Sequence, residues 1–178
     1  MPNSILELKA YRAEDFLAPQ NFDLADATVT EIFKVMFGFD VQAIELPIPG
    51  FVSVEKDEMT AVVGFSGAMR GSCQVRISTQ AAQSIASAML GGAPIDEDDE
   101  SINDALGELC NMLAGGWKNG VPELSSECAL SPPTVISGRD YKVHVSKPSV
   151  NFARTYKFGN HILCLTLCRE EAGSAHNG

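Results

Sequence analysis

The chain has 178 residues, enough for one domain with a substantial core or two small halves, and its 45% hydrophobic and 20% charged content is an ordinary globular balance. A formal net charge of −10 repels phosphate backbones and anionic lipid surfaces, which argues against nucleic-acid or membrane-surface binding and leaves a basic protein partner open. No apolar run approaches the roughly 18 residues of a membrane-spanning helix, and the N-terminal MPNSILELKAYRAED lacks the basic-then-apolar order of a secretory signal.

Residues 1–25 read as an N-terminal arm with a short helix, because Pro19 interrupts any longer one. Asp26 is a good N-cap for a helix reaching about Phe37, with Val29, Ile32, Phe33 and Met36 as its core face and Gly38 at its C-terminal cap. Val41 to Leu46 reads as a strand ended by Pro47 and Pro49. Met59–Phe65 and Met69–Ile77 read as a hairpin turning at Ser66-Gly67. Glycines 64, 67 and 71 do not follow GxGxxG, and no P-loop lysine comes after them, so phosphate cradling is not indicated. Thr79 caps a helix through Leu90, packed by Ile85, Met89 and its alanines and stopped by Gly91-Gly92 with Pro94 beyond.

The acidic run Asp96–Glu100 lacks the alternating ligands, turn glycine and distant glutamate of a calcium loop. It reads as a solvated entry to the following helix, whose N-terminal dipole favours negative charge. That helix, Ser101 to Gly116, organises the chain. At roughly 100° per residue, Ile102, Leu106, Leu109 and Leu113 form an apolar stripe, and Asp104, Glu108 and Asn111 fall opposite. Gly107 and Gly115 lie on the same polar side, where the missing side chains would let another molecule approach closely. Trp117 projects toward the apolar side as packing, and Lys118 lies near the polar face.

Beyond it, Pro122, Pro132 and Pro133 bound a short strand around Leu124–Leu130. Thr134–Ile136 with a turn at Ser137-Gly138, Tyr141–Val145, and Ser149–Tyr156 are strand-like, and Gly159-Asn160 turns a hairpin into His161–Cys168. The tail, 170–178, is polar and frayed. The five cysteines show no CxxC spacing and read as reduced thiols of a cytoplasmic protein, with Cys164 and Cys168 as small core residues.

There is a faint internal repeat. Thr28–Gly38 (TVTEIFKVMFG) sets over Ala105–Gly115 (ALGELCNMLAG), matching Glu31 with Glu108, Lys34 with Asn111 and Gly38 with Gly115. This suggests two related halves sharing one sheet, the first with a lysine where the second has an amide.

No GxSxG is present, and the three histidines show neither HxxxH nor HExxH spacing. The polar pair Glu108 and Asn111 remains. A carboxamide can hold a water in line with a phosphorus, accepting one of its hydrogens and donating to a nearby oxygen, and phosphoryl transfer asks mainly for such positioning and charge balance. A carboxylate one turn earlier can pair with a partner's cation and fix the register.

At these residues the sequence resembles a known family. DALGELCNMLAGG is similar to the motif of the CheC/CheX/FliY chemotaxis phosphatases: Asp or Ser, three residues, Glu, two residues, Asn, and a proline about twenty residues on. Asp104, Glu108, Asn111 and Pro132 or Pro133 meet it here. ATVTEIFKVMFG, VVGFSGAMRGS, MLGG and PPTVISGRDY also resemble segments of CheX-like members, so the likeness spans about Ala27 to Leu167.

The resemblance implies dephosphorylation of the aspartyl phosphate on a CheY-like response-regulator receiver. Asn111 would orient the water, and Glu108 would pair with the receiver's lysine. Asp104, Gly107, Gly115 and Lys118 would support the receiver-facing surface. Magnesium would belong to the receiver, with no cofactor on this chain. A single motif resembles the CheX type, among which homodimers occur. The expected architecture is α+β: a pseudo-two-fold CheC-like domain over 26–169, with long helices on an antiparallel sheet. A non-catalytic module docking on a receiver or flagellar-switch protein is the rival reading. A small-molecule sensor using a cleft between helices has no positive feature.

Overall fold

A computed structural model describes residues 11–45, 58–96, 99–138, 141 and 149–171. The chain runs through α1 (Ala13–Phe16), α2 (Pro19–Ile32) with a π-helical continuation (Phe33–Phe37), β1 (Val41–Ile44), β2 (Glu58–Gly67), β3 (Gly71–Ser78) and α3 (Thr79–Met89). It continues through α4 (Ser101–Gly120), α5 (Pro122–Ser125), β4 (Cys128–Leu130), β5 (Thr134–Gly138), β6 (Ser149–Phe158) and β7 (His161–Glu170). The α+β expectation holds: helices pack on one antiparallel sheet ordered β1-β6-β7-β3-β2-β4, with β5 also on β2.

The strands alternate as a half-buried sheet requires. Met59, Ala61, Val63 and Phe65 of β2, Cys73, Val75 and Ile77 of β3, and Leu163, Leu165 and Leu167 of β7 are buried. The buried faces of the helices close over them: Ile102, Leu106, Leu109 and Leu113 of α4, Ile85 of α3 and Val29 of α2. Cys164 and Cys168 alternate with the β7 leucines, so they sit on the opposite side of the sheet from that core.

The strand order shows how the halves interlock. β1, which follows α2, pairs with β6 of the second half, and β5, which follows α4, pairs with β2 of the first. The hairpins β2–β3 and β6–β7 meet through β3 and β7 at the middle. Each half thus supplies a helix, a strand laid on the other half's hairpin, and a hairpin of its own.

Several local expectations are corrected. The short helix before Pro19 is present as α1, and Pro19 also starts α2 at its first position, where a missing N–H costs nothing. The helix therefore runs straight past residues 25 and 26, and Tyr11 and Phe16 are buried in the core. Asp26 is an interior residue of α2, not a cap. Its carboxylate accepts from Arg154 Nε at 3.0 Å and from the Tyr156 hydroxyl at 2.7 Å, tying α2 to β6. The π-helical turn shifts the side-chain register, so Phe33 and Phe37 face inward while Met36 is 52% exposed. Gly38 does take the left-handed cap, φ 71°.

Ser66-Gly67 belong to β2, and the hairpin turns through 68–70 instead. Ser78, one residue before Thr79, caps α3 by accepting from the Ala81 N–H at 3.2 Å. The segment Leu124–Leu130 splits into the end of α5 and the three residues of β4, because Pro122 opens a helical turn. Leu46, Pro47 and Pro49 lie outside the described residues, as do most of Tyr141–Val145 and the tail beyond Glu171.

Candidate functional site: the outer face of α4

α4 is longer than its periodicity alone marked, running to Gly120. Its inner face is fully used. Leu106, Leu109 and Leu113 are buried, and Trp117 is 1% exposed among Phe16, Phe65 and Phe152. Cys110 lies under the helix, its thiol directed at the carbonyls of Ala61 and Cys73 at 3.5 and 3.6 Å. With one side anchored in this way, the opposite side has a fixed presentation.

On that side Asp104 and Glu108 are exposed and Asn111 is half-buried. The structure therefore keeps the predicted carboxylate and amide together on one outward face. Gly107 is a correction: it is buried, not partner-facing. A Cβ there would meet Pro133 Cγ at 3.3 Å and Val135 Cγ2 at 3.6 Å, so its bareness admits β5. Gly115 is half-buried, with Leu130 Cδ1 3.8 Å from where its Cβ would lie. Lys118 is half-buried, and its ammonium donates to the Ser125 carbonyl at 2.5 Å, closing the end of α4 against α5.

Two further glycines, not singled out from the sequence, set the helix against α2. A Cβ on Gly116 would approach Thr28 Cγ2 at 2.6 Å, and one on Gly120 would approach Leu24 Cδ1 at 2.5 Å. Their four-residue spacing was the available signal.

The edge beside the motif face is irregular. β4 pairs Leu130 with Phe65 and β5 pairs Thr134 with Val62, so the register slips by one residue across Ser131–Pro133. The slip is a β-bulge, the device that re-aims chain next to sites. Of the two prolines that could complete the motif, Pro133 meets α4 at Gly107.

The first half presents the repeat's counterpart. Glu31 and Lys34 are exposed on α2 and its π-helical turn, and Lys34 Nζ donates to Asp40 Oδ1 at 2.7 Å. Among the described residues no group of three or more His, Cys, Asp and Glu could hold a metal ion. No helix among them is long and apolar enough to cross a membrane. A cleft between α2 and the end of α4 is lined by Tyr11, Asn21, Leu24, Gly120 and Glu123. The Asn21 amide there is already committed: Asn21 Nδ2 donates to the Tyr11 hydroxyl at 2.6 Å and the Asp15 carbonyl at 2.7 Å.

The sequence model of the family described as chemotaxis phosphatase CheX matches residues 59–154, from β2 into β6 with the whole of α4 inside. The chain belongs to the CheX family. A curated CheX relative, the CheY-P phosphatase CheX of Thermotoga maritima, is 38% identical over 85 residues, which is 48% of this chain and 55% of that protein. The alignment thus spans about half the length of that relative.

The fold agrees with solved structures of chemotaxis proteins. A chemotaxis protein from Desulfovibrio vulgaris Hildenborough superposes with TM-score 0.70 at 26% identity, covering 85% of this chain and 97% of that one. CheX of Borrelia burgdorferi, solved in a CheX–CheY–BeF3–Mg complex, superposes with TM-score 0.65 at 20% identity, covering 85% and 98%.

Proposed function

We propose that this CheX-family chain hydrolyses the aspartyl phosphate of a CheY-like receiver, with the outer face of α4 inserted at the receiver's active site. The observation that carries this is the pairing of Glu108 and Asn111 on the exposed side of a helix whose other side is locked in the core. The Thermotoga relative is a CheY-P phosphatase, and the Borrelia relative has been captured on CheY with magnesium present.

In this reading Asn111 does the chemistry of placement. Its side-chain oxygen accepts a hydrogen of the attacking water, and its NH2 donates to a phosphoryl oxygen, so the water lies in line with phosphorus. Glu108 pairs with a receiver lysine by a charge-assisted hydrogen bond and fixes the register. Asp104 borders the same surface. Magnesium is the receiver's, and this chain brings no cofactor. The protein would work in the cytoplasm, where receivers are phosphorylated, as a monomer or a homodimer.

The test is the lifetime of phosphorylated receivers with and without the protein. Asn111→Ala should slow receiver dephosphorylation on the order of 100-fold, as expected for a misplaced reactant. Glu108→Ala should chiefly raise KM. An Asn111→Ala variant as active as the parent would remove the mechanism. The rival, a docking module without catalysis, draws on the first half, where Lys34 stands in place of an amide. It predicts receiver binding with an unchanged phosphate lifetime.

A further inference from the structure

Gly107 and Gly115 bracket Asn111 by one helical turn on either side, and each meets the β4–β5 edge. Pro133 Cγ lies 3.3 Å from a Cβ position on Gly107, and Leu130 Cδ1 lies 3.8 Å from one on Gly115. The edge therefore crosses α4 between these two contacts, and the bulge between them runs level with Asn111. Asn111, which lies between the two contacts, is half-buried, and Glu108 is exposed.

The bulge is held to β2 by the backbone and by the hydroxyl of one residue. Ser131 Oγ accepts from the Gly64 N–H at 2.8 Å and donates to the Pro132 carbonyl at 2.9 Å, while Ser131 N–H donates to the Gly64 carbonyl at 2.9 Å. Gly64 makes room for it, since a Cβ there would stand 3.3 Å from Ser131 Oγ. Without the hydroxyl the Gly64 N–H loses this partner, and the register slip that puts Pro133 on Gly107 is left with only the backbone bond between Ser131 and Gly64.

Resting on the phosphatase reading above, we infer that Ser131 is a positioning residue: it latches the bulge that walls one side of Asn111 and fixes where that amide points. Ser131 touches no reacting atom and acts through Pro133, Gly107 and the turn of α4 that carries Asn111. A side chain fixed by neighbouring packing holds its reactive geometry, and a shift of about 1 Å can cost two orders of magnitude in rate.

The experiment measures receiver dephosphorylation by Ser131→Ala, Ser131→Thr and Gly107→Ala, together with the side-chain amide NMR signals of Asn111 in the isolated protein. Ser131→Ala should lower kcat on the order of tenfold with KM within about twofold, while Ser131→Thr, which keeps the hydroxyl, retains most of kcat. Gly107→Ala reaches the same contact from the helix side and should lower kcat likewise. The Asn111 amide signals should shift and broaden in Ser131→Ala and return in Ser131→Thr. Parental kcat and parental Asn111 signals in Ser131→Ala would overturn the positioning role. A parent that shortens no receiver's phosphate lifetime would instead remove the proposed function, and the Asn111 signals alone would then decide the latch.

Discussion

Gly116 and Thr28 are in closer register than any side chain larger than hydrogen would permit: a Cβ on Gly116 would lie 2.6 Å from Thr28 Cγ2. Thr28 is buried and β-branched, so it has little freedom to withdraw. Replacing Gly116 by Ala gains about 1 kcal/mol of helix propensity but overpacks the α2–α4 seam at a cost of about 1–3 kcal/mol. Gly115, its neighbour, has only Leu130 at an ordinary 3.8 Å. We expect denaturant midpoints to fall in Gly116→Ala and to rise in Gly115→Ala. Movement of both in the same direction would contradict the packing described.

Asp26 is expected to matter for stability rather than activity. Its carboxylate holds both Arg154 and the Tyr156 hydroxyl. Asp26→Ala leaves two partly buried donors without an acceptor, which should cost on the order of 2 kcal/mol. Urea titration checks this, with receiver dephosphorylation by the folded fraction staying near parental.

The alkaline limb of stability has a definite sign. Burial pushes the Tyr156 phenol far above its usual value, and its bond to Asp26 adds to the effect. The Cys73 thiol is raised by its neighbour Cys110 and by burial, and the Cys128, Cys164 and Cys168 thiols by burial. In each case the folded protein keeps a proton that the unfolded chain gives up. The stabilisation is therefore intact below the unfolded values and declines above them, starting near pH 8.5 with the thiols and steepening near pH 10 with tyrosine. Unfolding free energies between pH 7 and 10.5 test this; a flat profile would refute it, and Tyr156→Phe should flatten the upper part.

Glu108 gives a handle on salt. If it meets a cation of the receiver, KM should rise with ionic strength in the parent and hardly at all in Glu108→Ala, because an exposed pair is screened. Parallel salt curves would place the ion pair elsewhere.

Lys34 is predicted to be catalytically silent. It is engaged by Asp40 and carries no group able to accept a water hydrogen. Lys34→Ala should leave receiver dephosphorylation within about twofold of parental, whereas Asn111→Ala should leave little, since placement of the water is what is lost. Substantial residual activity in Asn111→Ala that disappears on adding Lys34→Ala would show a second working face.

The motif helix was readable because its two faces differ in chemistry. Leu106, Leu109 and Leu113 repeat at helical spacing, and Glu108 and Asn111 stand opposite. The repeat was readable for a similar reason, and the interlocked sheet agrees with it. What escaped the sequence depended on neighbours distant in the chain. Gly107 lies at the margin of the polar face, and only the arrival of Pro133 decides that it is buried. Asp26 is a good cap by residue type, but Arg154 and Tyr156, far along the chain, take its carboxylate. Met36 follows α-helical spacing, and the wider turn at Phe33–Phe37 rotates it into solvent. Pro19 marks both the break after α1 and the start of α2, and only the break was read from the residue type.

The exchange of strands between the halves has a consequence for how the molecule comes apart. β1 can be held only if β6 is already laid down, and β5 only if β2 is, so neither half encloses a finished core by itself. Severing the chain between α3 and α4 should give two fragments that are unfolded alone and regain structure when mixed. The half without the amide is thus an indispensable scaffold for the half that has it, and unfolding should be a single concerted event.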